Sequence, residues 1–141
     1  MTLKIYTASK ISDADTWHSL KEDWSEITFT ARWPFLHTGH IPDEGVFAKV
    51  FWQHDMEDIT EAHGVLLWTE HASEKPNNIP WSHLRGALVE AGMAIAQGKF
   101  VILVGDHPDY GTWRYHPQCY IVPDFETART LLKCLAIGEL A

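Results

Sequence analysis

Glu90 is the side chain in this sequence best placed to do chemistry. It stands in a helical stretch among the small residues Gly86, Ala87 and Ala94, and Leu84 to Gln97 contains no other acid. Small neighbours leave room, so a carboxylate here can meet a ligand beyond the carboxyl edge of a sheet. A solvated surface glutamate is the plain alternative. A second set of residues is suited to an anion. Ala8, Ser9 and Lys10 form a turn that opens toward a helix N-terminus, where backbone N–H groups and the helix dipole attract negative charge. Ser9 and Ser82 are short donors, and Arg85 can clamp a phosphate through two parallel hydrogen bonds. Neither a P-loop nor a Gly-x-Gly-x-x-Gly run accompanies them, so an ordinary capped turn explains the same residues.

Seven Trp is the one unusual feature of the composition. Trp33, Phe35, Trp68, Trp81 and Trp113 fall on or near probable loops and can stack on a flat ligand, at about 1–3 kcal/mol per base in single-strand binders. Trp33 and Trp81 would equally suit a subunit interface. Nine His invite a metal reading, but His37-x-x-His40 and the pair His54 and His63 have no third or fourth ligand at supportive spacing, so no metal is expected. There is no Gly-x-Ser-x-Gly elbow, and neither Cys119 nor Cys134 sits beside a basic group in a loop, which argues against Ser and Cys nucleophiles.

These residues need a scaffold, and the hydrophobic periodicity describes one. Leu3 to Thr7 and Ile27 to Ala31 read as strands, and Gly64 to Trp68 and Phe100 to Val104 are continuous apolar runs of the kind buried on both faces. Cys119 to Val122 is a weaker fifth strand. Helices alternate with them. The first is capped by Ser12 or Asp13, the second runs from Val46 to Ala62, and the third, from Leu84 to Gln97, stops at Gly98. The last is capped by Asp124. Parallel crossovers need helices, so this alternation predicts a flavodoxin-like α/β fold: a three-layer sandwich around a five-stranded parallel sheet of order 2-1-3-4-5. Ligands of such sheets bind beyond the carboxyl ends of the strands. That selects the turn at residues 7–10, the loop after Ala31, the loop from Trp68 to Ser82, and Gly105-Asp106-His107.

The 141 residues suffice for one domain, 1–141, and 45% apolar residues exclude disorder. The longest apolar run is far too short to span a bilayer. No membrane is therefore expected as partner, and a net charge of −8 repels phosphate backbones, so no nucleic-acid polymer is expected either. The opening MTLKIYTASK has no signal-peptide character, and two free cysteines fit a reducing compartment, so a cytoplasmic location is expected.

The segment LRGALVEAGMAIAQGKFVILVGD, Leu84 to Asp106, resembles the nucleophile helix and following strand of the nucleoside 2-deoxyribosyltransferases. Its Gly86, Glu90, Gly92, Gly98, Lys99 and Val101 match that pattern, and KIYTASK, DITEAHGVLLWTE and the order of elements also fit. The superfamily includes nucleotide N-glycosidases. The resemblance implies that Glu90 attacks the anomeric carbon of a nucleoside, because a carboxylate both stabilises and captures a cationic sugar transition state. It implies that Tyr6 orients Glu90 and that an aspartate before the third strand protonates the leaving base. Asp55 and Asp58 both lie near that place, with Asp58 favoured. A second family aspartate, shortly before the nucleophile, has no counterpart in Pro80-Trp81-Ser82-His83-Leu84, which weighs for hydrolysis over base exchange. The expected substrate contacts are Ala8, Ser9, Lys10, Trp33, Trp68, Ser82, Arg85, Gly86 and Asp106. The resemblance further implies no cofactor, a small nucleoside or nucleotide as partner, and a homo-oligomer. The alternatives are deoxyribosyl transfer between bases, or a catalytically silent nucleotide-binding protein on the same fold.

Overall fold

In the computed structural model, residues 2–10, 13–33 and 45–138 are described, apart from the side chains of residues 45–48, 82 and 83. Strands β1 (Leu3–Ala8), β2 (Ile27–Phe29), β3 (Gly64–Trp68), β4 (Phe100–Val104) and β5 (Cys119–Val122) alternate with helices α1 (Ala14–Asp23), α2 (Gly45–Glu61), α3 (Trp81–Ala96) and α4 (Phe125–Ala136). All strand pairs are parallel, and the order is β2-β1-β3-β4-β5. This is the flavodoxin-like arrangement expected from the alternation.

The two faces of the sheet carry different cores. Tyr6, Ala8, Val65, Leu67, Val101 and Leu103 pack against Ile59 and Ala62 of α2 and against Leu84, Ala87, Ala91 and Ala94 of α3. Leu3, Ile5, Leu66, Ile102 and Val104 face the opposite layer, with Trp17 of α1 and Ala128, Leu132 and Leu135 of α4. Strict side-chain alternation along each strand thus sends successive residues to different layers. Gly64 is opposite Phe100 in the β3–β4 register, and the Phe100 ring lies where a side chain on Gly64 would be. No described helix is long and apolar enough to cross a membrane.

Local signals mostly hold. The Asp124 side chain caps α4 by accepting from the Thr127 N–H at 2.7 Å. Gly98, at φ +75°, ends α3, with Gly98 N–H on the Ile95 carbonyl at 3.0 Å and Lys99 N–H on the Ala94 carbonyl at 2.9 Å. β2 is shorter than Ile27 to Ala31: it stops at Phe29, although the Thr30 N–H still donates to the Ile5 carbonyl at 2.9 Å. Asp13 occupies the N-cap position of α1 but its side chain makes no capping bond; it is buried instead. Ser12, the other cap candidate, lies outside the described residues.

Candidate active site

One phenol and two carboxyls meet where α2 and α3 pack over β1. Tyr6, in mid-strand, points into the α2–α3 layer because Ile5 and Thr7 alternate away from it. Glu90 comes from α3, on the flank of its Leu84–Ala87–Ala91–Ala94 stripe, and is only 6% exposed. That differs from the open sheet edge expected for it, since α2 packs against α3 and closes over this flank. Asp55 comes from α2. It falls on the stripe that continues through Ile59 and Ala62, four and seven residues on, and so turns inward.

The Tyr6 hydroxyl faces both carboxyls and the indole N–H of Trp33. It closes no well-formed hydrogen bond with any of them, and Tyr6 Oη and Glu90 Oε2 are both buried without a partner. Buried polar atoms left incomplete by the protein are those that a ligand's polar groups can complete. Above Glu90 lies Gly86. A Cβ there would sit 3.6 Å from Glu90 Oε1 and 4.0 Å from the edge of the Trp52 ring. The missing side chain therefore keeps a gap between the carboxyl and an aromatic ring. Trp52 also borders a shallow groove of about 840 Å3 on the outer face of α2, shared with Lys49, Gln53 and Met56.

Burial dominates the electrostatics. It pushes the Glu90 carboxyl well above the ordinary carboxylate range; the charge of Asp55 adds to this and the Tyr6 hydroxyl opposes it. Burial also raises Asp55 to about 6, with the Tyr6 hydroxyl and Arg32 opposing and Asp58 adding. The Tyr6 hydroxyl is raised by burial and then by Glu90 and Asp55, so it remains a donor. Two carboxyls flanking one phenol in a largely buried site disfavour each other's ionisation, which adds to the effect of burial on Glu90.

Asp58, favoured from the sequence as the acid, is not brought to this cluster. Its carboxylate pairs with Arg32 Nε at 2.7 Å and accepts from the Arg32 backbone N–H at 3.0 Å. Asp55 stands in the place that Asp58 was expected to take. The remaining expected contacts are divided. Gly86 and Trp33 belong to the Glu90 cluster, and Ala8 is buried beneath the same layer. Trp68 points to the opposite layer, 6.3 Å from Trp17 and 5.4 Å from Phe125 between ring centres, because it alternates with Leu67 on β3. Ser9 accepts from the Trp17 indole N–H at 2.8 Å and donates to the Lys10 carbonyl at 3.1 Å, which leaves its hydroxyl no free donor for an anion. Lys10 is paired with Glu70, and Arg85 is exposed on α3. The Ser82 side chain lies outside the described residues, as do Phe35, His37 and His40. Asp106, past the end of β4, is held by Arg114 Nε at 2.9 Å and by the His107 N–H at 2.8 Å. His63 has a structural task, its Nδ1 accepting from the Lys4 N–H at 2.8 Å.

Trp52 and Arg32 were not marked by any local sequence pattern. Asp55 had a readable signal in its spacing from Ile59 and Ala62. No family model and no curated protein matches the chain. Among solved structures it is similar to the crystal structure of a conserved protein from Enterococcus faecalis V583, at 14% identity and a TM-score of 0.50, with 96% of this chain and 88% of that one covered. At that identity the likeness shows the α/β fold alone.

Proposed function

We propose that this protein cleaves the N-glycosidic bond of a nucleoside or nucleoside 5′-monophosphate, as a member of the nucleoside 2-deoxyribosyltransferase-like superfamily. The observation that carries the reading is the buried meeting of Glu90, Tyr6 and Asp55 beside the gap at Gly86. Two carboxyls of unequal environment flanking one reaction centre are what displacement at a sugar carbon uses. Burial favours the proton on Glu90, so the reactive form is reached when that proton passes to Asp55: Glu90 is then ionised, with Tyr6 donating to it, and Asp55 is protonated. A Glu90 oxygen bonds to the anomeric carbon as the carbon–nitrogen bond breaks. The electron pair leaves with the base, and Asp55 delivers its proton to that base. Water then attacks the same carbon, gives a proton to Asp55, and releases Glu90 with the free sugar. Because this form needs one carboxyl ionised and the other protonated, the rate falls on both sides of a maximum.

Hydrolysis is preferred to base exchange because the acid that the transferases place shortly before the nucleophile is missing here. The internal commitment of the Ser9 hydroxyl favours nucleosides over monophosphates. A cytoplasmic homo-oligomer is part of the same reading. Trp52, Met56 and Val89 are large apolar side chains left exposed on α2 and α3, which a second copy would cover. The decisive experiment incubates a panel of nucleosides and monophosphates with the protein and with Glu90→Gln. Base release by the wild type alone, with the mass of a 2-fluoro sugar found on a peptide containing Glu90, is the expected result. Equal release by Glu90→Gln refutes the mechanism. Affinity without release or labelling identifies a binding protein, and a new nucleoside formed in proportion to added base identifies a transferase.

A further inference from the structure

We infer that Arg32 is the positioning residue of the site: its guanidinium clasps the turn of α2 that carries Asp55 and holds that carboxyl against the Tyr6 hydroxyl. The inference rests on Asp55 being the acid of the proposed reaction. Arg32 follows β2 and reaches three successive places on α2. Its Nη2 donates to the His54 carbonyl at 3.2 Å and pairs with Glu57 at 2.9 Å, while its Nε pairs with Asp58 at 2.7 Å. These contacts bracket Asp55 on both sides. A further bond joins the same segments, from the Thr30 hydroxyl to the Asp58 carbonyl at 2.8 Å. The residue after Arg32 is Trp33, whose indole N–H faces the Tyr6 hydroxyl. Two consecutive residues at the exit of β2 thus set both the helix that carries the acid and the phenol that faces it.

The Asp58 side chain is only 5% exposed, and the cation lies close enough to Asp55 to favour its ionised form. The groups that face Asp55 are Tyr6 from β1, Glu90 from α3, Asp58 on its own helix and Arg32 from the β2 exit. Of these only Arg32 is positive. It thereby holds Asp55 in place and sets how readily that acid keeps its proton.

The test titrates Asp55 by carboxyl 13C NMR in the ligand-free protein, which needs no substrate. Arg32→Gln removes the cation, so the Asp55 midpoint should rise by about one pH unit. Asp58→Asn removes the neighbouring anion and leaves Arg32 uncompensated, so the midpoint should fall. Arg32→Lys keeps the charge and should return the midpoint toward that of the wild type. Opposite displacements in Arg32→Gln and Asp58→Asn are the expected result, because a loss of packing alone would move both the same way. An unchanged midpoint in either folded variant, or displacement in one direction by both, overturns the inference. Should Arg32→Gln fail to fold because it leaves Asp58 unpaired, the double variant Arg32→Gln/Asp58→Asn decides: a midpoint above that of Asp58→Asn supports the inference, and an equal or lower one refutes it. Absence of base release by the wild type would refute the proposed reaction instead, and leaves these titrations to be read separately.

Discussion

Asp55→Asn should make the protein more stable while removing its activity. In the folded protein the Asp55 carboxyl is raised from 3.8 to about 6, chiefly by burial. The folded state therefore binds its proton more tightly than the unfolded chain does. The sign follows: between about pH 4 and pH 6 the folded state holds more protons, so stability falls as the pH rises through that window. Below it, the acid is protonated in both states and costs nothing. Above it, the full cost of a buried charge is present. A gap of about two pH units at about 1.4 kcal/mol each sets a ceiling of roughly 3 kcal/mol. The partial solvent access of Asp55 brings the expected gain to about 1–2 kcal/mol at pH 8. For a domain of this size that is a rise in Tm of roughly 3–8 °C. Asparagine keeps the shape and cannot ionise, so thermal unfolding of the two proteins at pH 8 and at pH 4 isolates the effect. The variant should melt higher at pH 8 and alongside the wild type at pH 4, and should release no base at either. A variant that is less stable at pH 8, or a gain independent of pH, would refute the placement of Asp55 as a buried acid beside Glu90.

Gly86→Ala should separate stability from function in the same way: alanine in the helix interior adds up to about 1 kcal/mol, and its Cβ meets Glu90 Oε1 at an ordinary 3.6 Å. Because it fills the gap between Glu90 and Trp52, base release should fall roughly tenfold, about 1.4 kcal/mol of barrier; unaltered turnover with a raised Tm would show that the gap is not used. Gly64→Ala should lower stability by about 1–3 kcal/mol through overpacking, since its Cβ would run into the Phe100 ring, and adding Phe100→Val should recover much of the loss in a double-mutant denaturation series.

Much of the architecture was legible because its causes are local. Gly64–Trp68 and Phe100–Val104 are apolar throughout, and only a strand covered on both faces by helices can bury such a run. Gly98 and Asp124 mark helix ends because each satisfies backbone groups within a few residues of itself. Glu90 was legible too, as a lone acid among small residues, although its burial was not: that depends on α2, a separate element, packing over it. The acid partner shows the limit most clearly. Asp55 and Asp58 are three residues apart on one helix, on overlapping faces, so spacing alone leaves both turned toward the core. Which one meets Tyr6 depends on the rotation of α2 about its axis. Arg32, 26 residues before Asp58 in the chain, binds that rotation by taking Asp58 for itself. The division of Trp68 and Ser9 from Glu90 has the same kind of cause. Successive residues on a strand point to opposite layers, so neighbours in sequence at the ends of β1 and β3 serve different sides of the sheet. The sequence alone determined the elements and their order, since those follow from periodicity, caps and the need to bury apolar runs. The tertiary structure alone decided which acids meet at the Tyr6 hydroxyl, because that is set by contacts between segments far apart in the chain.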